Sequence, residues 1–168
     1  MPIRSYKKHI IEVDDFPTKG VSFKDISPLL SNSELFRDTI NTLSFIINRK
    51  PKYWIGIDAR GFIFASALAY KNGGGLILCR KKGKLPPPVS SKSYELEYGE
   101  STLEMKDGLG TAIIVDDVLA TGGTMMATNE LAQNAGYHIL QNLVLVDLEY
   151  VPKVDNFDLE VKSLIRYE

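Results

Sequence analysis

The stretch TAIIVDDVLATGGT, Thr111 to Thr124, decides the fold. Its apolar run ends in two carboxylates, passes through a loop of small residues with two glycines, and enters a helical pattern. Ala112, Ile113, Ile114 and Val115 read as a buried parallel strand, too short for a helix and rich in β-branched side chains. Asp116 and Asp117 then fall at its carboxyl end, where ligands bind in open α/β sheets. Ala120, Thr121, Gly122, Gly123 and Thr124 lack bulk, so their N–H groups can approach an anion at the positive N-terminus of the helix beginning near Thr124. The loop is expected to hold a phosphate.

The segment has neither GxxxxGK[ST] nor GxGxxG, which argues against a nucleotide triphosphatase and a dinucleotide enzyme. Its distinguishing feature is the acid pair directly before the loop, at a distance suited to ribose hydroxyls when the loop holds the phosphate of the same sugar. The inferred ligand is a ribose 5-phosphate unit. An ordinary βα connection is the plain alternative for a glycine-containing turn of this kind.

The 168 residues suffice for one domain with a substantial core, and 44% hydrophobic content with 24% charge fits a soluble globular protein. Twenty basic and 21 acidic residues leave a formal net charge of -1, so no global field points to nucleic acid or an anionic membrane. Cys79 is the single cysteine, which excludes an internal disulfide and suits a reducing cytosol; within LILC it reads as a buried, inert thiol. The start MPIRSYKKHI is charged without a long apolar core, so no signal peptide is expected. No segment approaches the roughly 18 apolar residues of a membrane span.

Apolar residues at Leu35, Phe36, Ile40, Leu43, Ile46 and Ile47 predict a helix over Glu34 to Asn48, with Ser31, Asn32 or Ser33 as N-cap and Pro51 ending it. A strand at Tyr53–Ile57 follows, then a helix over Phe62–Tyr70 opened by Gly61 and closed by Gly73–Gly75, and a strand at Leu76–Cys79. After the Thr111 strand come a helix through about Asn134 and a strand at Ile139–Leu148. This alternation predicts an α/β fold, an open, mostly parallel sheet flanked by helices, in one domain over residues 1–168. The excursion from Arg80 to Gly108 interrupts it with Arg80, Lys81, Lys82 and Lys84, three prolines and a polar, tyrosine-bearing run. Two readings stand for it, a solvated basic surface hairpin and a mobile lid over a second anionic group.

Four separated motifs give the chain its resemblance to the adenine phosphoribosyltransferases, within the type I phosphoribosyltransferases. DDFPTKGVSFKDISPLL at Asp14–Leu30 resembles that family's purine-side segment, GIDARGF at Gly56–Phe62 its pyrophosphate-side loop, and RKKGKLP with SYELEYG its catalytic loop. The fourth, IIVDDVLATGGT, resembles the phosphoribosyl pyrophosphate signature shared by the type I enzymes, and the ending SLIRYE is also similar. The resemblance implies a base-side segment over residues 1–33, a flexible lid or hood over 80–108, and a cytoplasmic, homodimeric purine-salvage transferase. Its reaction would be adenine plus phosphoribosyl pyrophosphate giving AMP and pyrophosphate, with Mg²⁺.

By the same resemblance, Ala120 to Thr124 would bind the 5-phosphate, and Asp116 and Asp117 the ribose hydroxyls, directly or around Mg²⁺. Arg60, Arg80, Lys81 and Lys84 would contact the pyrophosphate. Phe23 would stack on adenine, with a core phenylalanine as its plain alternative; main-chain groups of Ser22 and Lys24 would read the base edge, and Leu119 would line the base site. Glu97 would take the base proton or stabilise the protonated base, where the residues alone suggest a surface carboxylate, and Tyr98 would help cover the site. Ser22 stands where the family often has Val or Ile, Lys24 where it often has Arg, and Pro87 where its loop commonly has Gly, which should stiffen the lid. His9 and His138 match no catalytic motif, and no His and Cys cluster suggests zinc. Transfer to hypoxanthine, xanthine or orotate is the nearest alternative. A ligand-sensing, nucleic-acid-binding regulator of the same fold is the more distant one, disfavoured by the length and near-neutral charge.

Overall fold

The computed structural model of the chain describes residues 6–96 and 99–168. The chain divides between Thr42 and Leu43 into two units. In the first, a 3₁₀ turn at Tyr6–His9 precedes an antiparallel pair, β1 (Ile11–Asp14) and β2 (Ser22–Asp25), in the register Val13 opposite Phe23. Asp15 closes the hairpin in a left-handed conformation and accepts the Gly20 N–H at 2.7 Å. Asp25 Oδ1 accepts the Ser27 N–H at 2.9 Å at the start of α1 (Ser27–Ser31). The next helix, α2 (Ser33–Phe45), begins after Asn32, whose Oδ1 accepts the Leu35 N–H at 3.0 Å.

The helix predicted to reach Asn48 stops at Phe45, because the chain must turn into an extended segment before Pro51, which disfavours helical backbone at Lys50. Ser44 donates to Asn72 Oδ1 at 2.6 Å and ties this last turn to the second unit, to which both residues belong.

The second unit is built on β3 (Tyr53–Ile57), α3 (Gly61–Asn72), β4 (Gly75–Lys81), β5 (Ser90–Leu96), β6 (Gly99–Met105), β7 (Gly110–Leu119), α4 (Gly123–Asn134), β8 (Tyr137–Leu148) and β9 (Val161–Tyr167). Its seven strands lie in the order β5-β6-β4-β3-β7-β8-β9, with β4, β3, β7, β8 and β9 parallel and the β5–β6 hairpin antiparallel on the β4 side. The side-chain alternation assigns the faces. Ile55, Ile57, Ala112 and Ile114 pack with Ala127, Leu131 and Ala132 of α4. On the other face Gly56 lies so close to α3 that a Cβ there would stand 3.0 Å from Ala65 Cβ. The helices therefore cover opposite faces, and the doubly covered strands read as continuous apolar runs.

The excursion contains a hairpin, as one of its two readings had it: Ser90–Leu96 pairs with Gly99–Met105, and the hairpin extends the sheet. Serine, lysine and glutamate dominate its pairing residues, while Leu103 and Met105 are buried in the core and Tyr94 packs against it. β9 was not foreseen, its residues VKSLIRY being half-buried at an edge where charge is tolerated.

The connections out of β3 and β7 run in opposite directions, β3 through α3 to β4 on one side and β7 through α4 to β8 on the other. The boundary between β3 and β7 is thus the topological switch point, where α/β sheets open a crevice at their carboxyl ends. Pairing of β3 with β7 ends at Gly56 opposite Val115, whereas β7 continues along β8 to Leu119 opposite Asp147. Asp116 and Asp117 stand where β3 has already left.

Leu131 is fully buried between α4 and the sheet. Leu131→Ala is expected to lower the unfolding free energy by about 2–5 kcal/mol, read from urea unfolding followed by circular dichroism; a loss below about 1 kcal/mol would contradict this packing.

Candidate active site

Two loops meet at the switch point. One is Asp58–Arg60, leading into α3; the other is Ala120–Gly122, leading into α4. Gly61 opens α3 directly against β7, where a Cβ would stand 2.7 Å from the Val115 carbonyl oxygen and 3.1 Å from Asp116 Oδ1. That absence of a side chain brings Arg60 beside the acid pair. Arg60 Nε lies 2.8 Å from Asp117 Oδ2. Among the described residues this buried carboxylate oxygen has that charge partner but no hydrogen-bond donor.

Asp116 is half-buried and accepts the Asp117 N–H at Oδ1, 2.9 Å away. Desolvation first, and then the adjacent Asp117 charge, push its carboxyl well above the usual carboxylate range; the Asp117 N–H and the Arg60 charge act the other way. An acid held in this manner ionises readily only when a cation or a set of hydroxyl donors joins it.

Asp116, Leu119, Ala120, Thr121, Gly122 and Thr124 are among the residues lining a pocket of about 100 Å³, in which the sequence-predicted phosphate loop and the first acid come together. Gly122, the N-cap of α4, has φ +86° and makes no side-chain cap, and a helix N-terminus of this kind can accept an anion. The Thr124 hydroxyl lies 3.2 Å from the Tyr94 hydroxyl on β5.

Arg80 is held at the neighbouring strand end, its Nε 3.2 Å from Asp58 Oδ2 and its guanidinium 5.7 Å over the Phe62 ring. Lys81 to Lys84 form a tight turn, with the Lys84 N–H donating to the Lys81 carbonyl and Gly83 at φ +80°. Glu104 Oε2 accepts the Gly83 N–H at 2.9 Å and fixes that turn to β6. The Lys106 ammonium donates to the carbonyls of Pro86 and Pro88, so the proline run is fastened to the end of the hairpin.

The remaining sequence-predicted residues belong to the first unit or lie outside the described residues. Ser22, Phe23 and Lys24 belong to the first unit, where Phe23 meets Phe16 edge-on at 5.2 Å and buried Lys24 donates to Glu12 Oε2 at 2.7 Å. Glu97 and Tyr98 lie outside the described residues. Cys79 is fully buried and its thiol is pushed up to about 12, chiefly by burial.

Residues 29–165 match the phosphoribosyl transferase domain. The adenine phosphoribosyltransferase of Bdellovibrio bacteriovorus is 44% identical over 162 residues, spanning 96% of this chain and 98% of that protein. The chain belongs to the adenine phosphoribosyltransferase family. Another relative of that name, from Petrotoga mobilis, is 44% identical across 99% of this chain and 100% of its own length. Among solved structures, adenine phosphoribosyltransferase from Thermoanaerobacter pseudethanolicus has a TM-score of 0.89 at 36% identity, covering 98% of this chain and 99% of that one. APRTase from Giardia lamblia, complexed with 9-deazaadenine, has a TM-score of 0.90 at 31% identity, covering 100% and 99%.

Sequence reasoning missed the segment behind the phosphate loop of this family member. Lys153 donates to the Ala120 carbonyl at 2.8 Å, and the Val154 N–H donates to the Thr121 carbonyl at 2.8 Å. No motif signals them, because their contact with the loop is made only in three dimensions.

Asp116→Asn removes the desolvated charge while keeping an oxygen for the Asp117 N–H. A folded carboxyl titrating above its unfolded value of about 3.9 contributes stability at low pH that is lost as pH rises through the folded value. The variant should therefore melt higher than the parent at pH 7.5, with the difference shrinking toward pH 4. A variant that melts lower at pH 7.5 would contradict the charge arrangement.

Proposed function

We propose that the chain transfers the phosphoribosyl group of phosphoribosyl pyrophosphate to N9 of adenine, releasing pyrophosphate and forming AMP. One observation carries the reading: an acid pair whose first member borders the phosphate-sized pocket and whose second is charge-paired with Arg60 across the switch point. The pair suits the hydroxyls of a pentose whose 5-phosphate occupies the Ala120–Thr124 loop. Ribose hydroxyls would also supply the hydrogen-bond donor that Asp117 Oδ2 lacks.

In the transfer, the bond from C1′ to the pyrophosphate oxygen breaks, the bond from C1′ to N9 forms, and the N9 proton leaves the base. Charge grows on the leaving group, and Arg60, Arg80, Lys81 and Lys84 are the cations assigned to receive it, so catalysis is chiefly positioning and electrostatics. Glu97 is assigned the base proton and Tyr98 the covering of the site. Phe23, the main-chain groups of Ser22 and Lys24, and Leu119 are assigned to adenine. The β5–β6 hairpin and the turn before it serve as the hood, with Pro87 restricting its movement.

The donor set fits Mg²⁺, which is commonly bound by one or two carboxylates together with substrate phosphates and water. Asp116 and Asp117 would hold it, directly or through water or the ribose hydroxyls; among the described residues no cluster of three or more metal-binding side chains exists. Bound Mg²⁺ would neutralise pyrophosphate charge.

The reading includes a homodimer, supported by Phe45 and Tyr70, which are 89% and 95% exposed. It also includes a cytoplasmic setting, which the buried free Cys79 suits; among the described residues no helix is long and apolar enough to cross a membrane.

Purified protein with Mg²⁺, phosphoribosyl pyrophosphate and labelled adenine is expected to form AMP. Arg60→Ala should reduce kcat/KM by about 10²-fold or more, and Asp116→Asn combined with Asp117→Asn should weaken use of the donor. Conversion of hypoxanthine or guanine with none of adenine would refute the base assignment.

A further inference from the structure

We infer that Lys153 is a positioning residue for the 5-phosphate, acting through the back of the Ala120–Gly122 loop; the inference rests on the phosphoribosyl reading above. A loop that offers its N–H groups to an anion must direct its carbonyls elsewhere, and buried carbonyls need donors. Here each of three consecutive loop residues has its own support. The Lys153 ammonium takes the Ala120 carbonyl at 2.8 Å, and the Val154 N–H takes the Thr121 carbonyl at 2.8 Å. Behind Gly122 lies the Phe157 ring, so near that a Cβ would stand 2.5 Å from its Cδ2 and Cε2 atoms. Residues 153 to 157 therefore form a backrest against which the loop is shaped.

Within that backrest Lys153 carries the largest share of polar contact. Besides Ala120 it donates to the Leu148 carbonyl at 2.9 Å and to Asp147 Oδ1 at 3.2 Å. Three acceptors use all three ammonium donors, leaving none for a ligand. Asp147, at the end of β8, also balances its charge. Lys153 thus links the β8 end to the loop and orients it without touching the phosphate.

The 5-phosphate does not change during transfer, so the loop grips it alike in the ground and transition states. Loosening the loop should raise KM for the donor and leave kcat nearly unchanged. A general loss of structure would move both.

The test compares Lys153→Met, Asp147→Asn and the two combined, the last relieving the carboxylate left without its partner. Titration calorimetry with ribose 5-phosphate gives affinity independently of turnover, and steady-state rates give KM and kcat. For both variants lacking Lys153, the ribose 5-phosphate Kd and the KM for phosphoribosyl pyrophosphate should rise about ten- to a hundredfold, with kcat and the KM for adenine within about threefold of the parent. Asp147→Asn alone, which keeps the Lys153 contact with Ala120, should stay within about threefold throughout. An unchanged ribose 5-phosphate Kd in the combined variant overturns the inference, as does a kcat that falls in step with the donor's KM. A parent protein that binds ribose 5-phosphate but makes no AMP overturns the transferase reading instead, and the Kd comparison still decides the role of Lys153.

Discussion

The site depends on a backbone approach that only glycine permits. With Gly61 against the Val115 carbonyl, the first turn of α3 lies directly on β7. Arg60, the residue before it, is consequently held at the acid pair rather than free in solvent, its side chain only 38% exposed. Because β7 runs four residues past its pairing with β3, Asp116 to Leu119, the acids and the loop after them line an opening instead of being covered by β3. Backbone geometry and sheet topology thus place opposite charges together before any ligand arrives.

Such an arrangement is electrostatically unfavourable in isolation. Two adjacent carboxylates are partly withdrawn from water, and Asp116 titrates high as a result. The surrounding apolar layers tolerate this: Ile113, Ile114 and Val115 lead into the acids without exposed surface, and Leu131 and Phe64 seal the two faces. A cation joining the pair would relieve the carboxylate repulsion. In the loop that follows, the back carbonyls are satisfied by the Lys153 ammonium and the Val154 N–H.

The parallel core and the chemistry-bearing loop could both be read from residue pattern. Tyr53–Ile57 forms a strand with the expected ends, and the Ala112–Val115 run lies within a strand as expected, because buried parallel strands carry unbroken apolar runs. The loop between β7 and α4 followed from small residues between acids and a helix. The strand bounds of the β5–β6 hairpin and the whole of β9 were opaque, since edge strands with mixed polar residues share their composition with loops. The pairing of Arg60 with Asp117 could be suspected from two motifs but required the switch point between β3 and β7 to bring them together. Lys153 gave no signal at all, being 33 residues from its partner Ala120 in a stretch without regular structure.

The central claim is that one loop grips a phosphate monoester while the acids before it orient the attached pentose. A crystal structure of the protein with AMP tests it most directly. The account predicts phosphate oxygens on the main-chain N–H groups of Ala120 to Thr124, with the ribose hydroxyls within hydrogen-bond distance of Asp116 and Asp117. A nucleotide bound with its phosphate away from that loop, or with its ribose turned from both acids, would contradict the account.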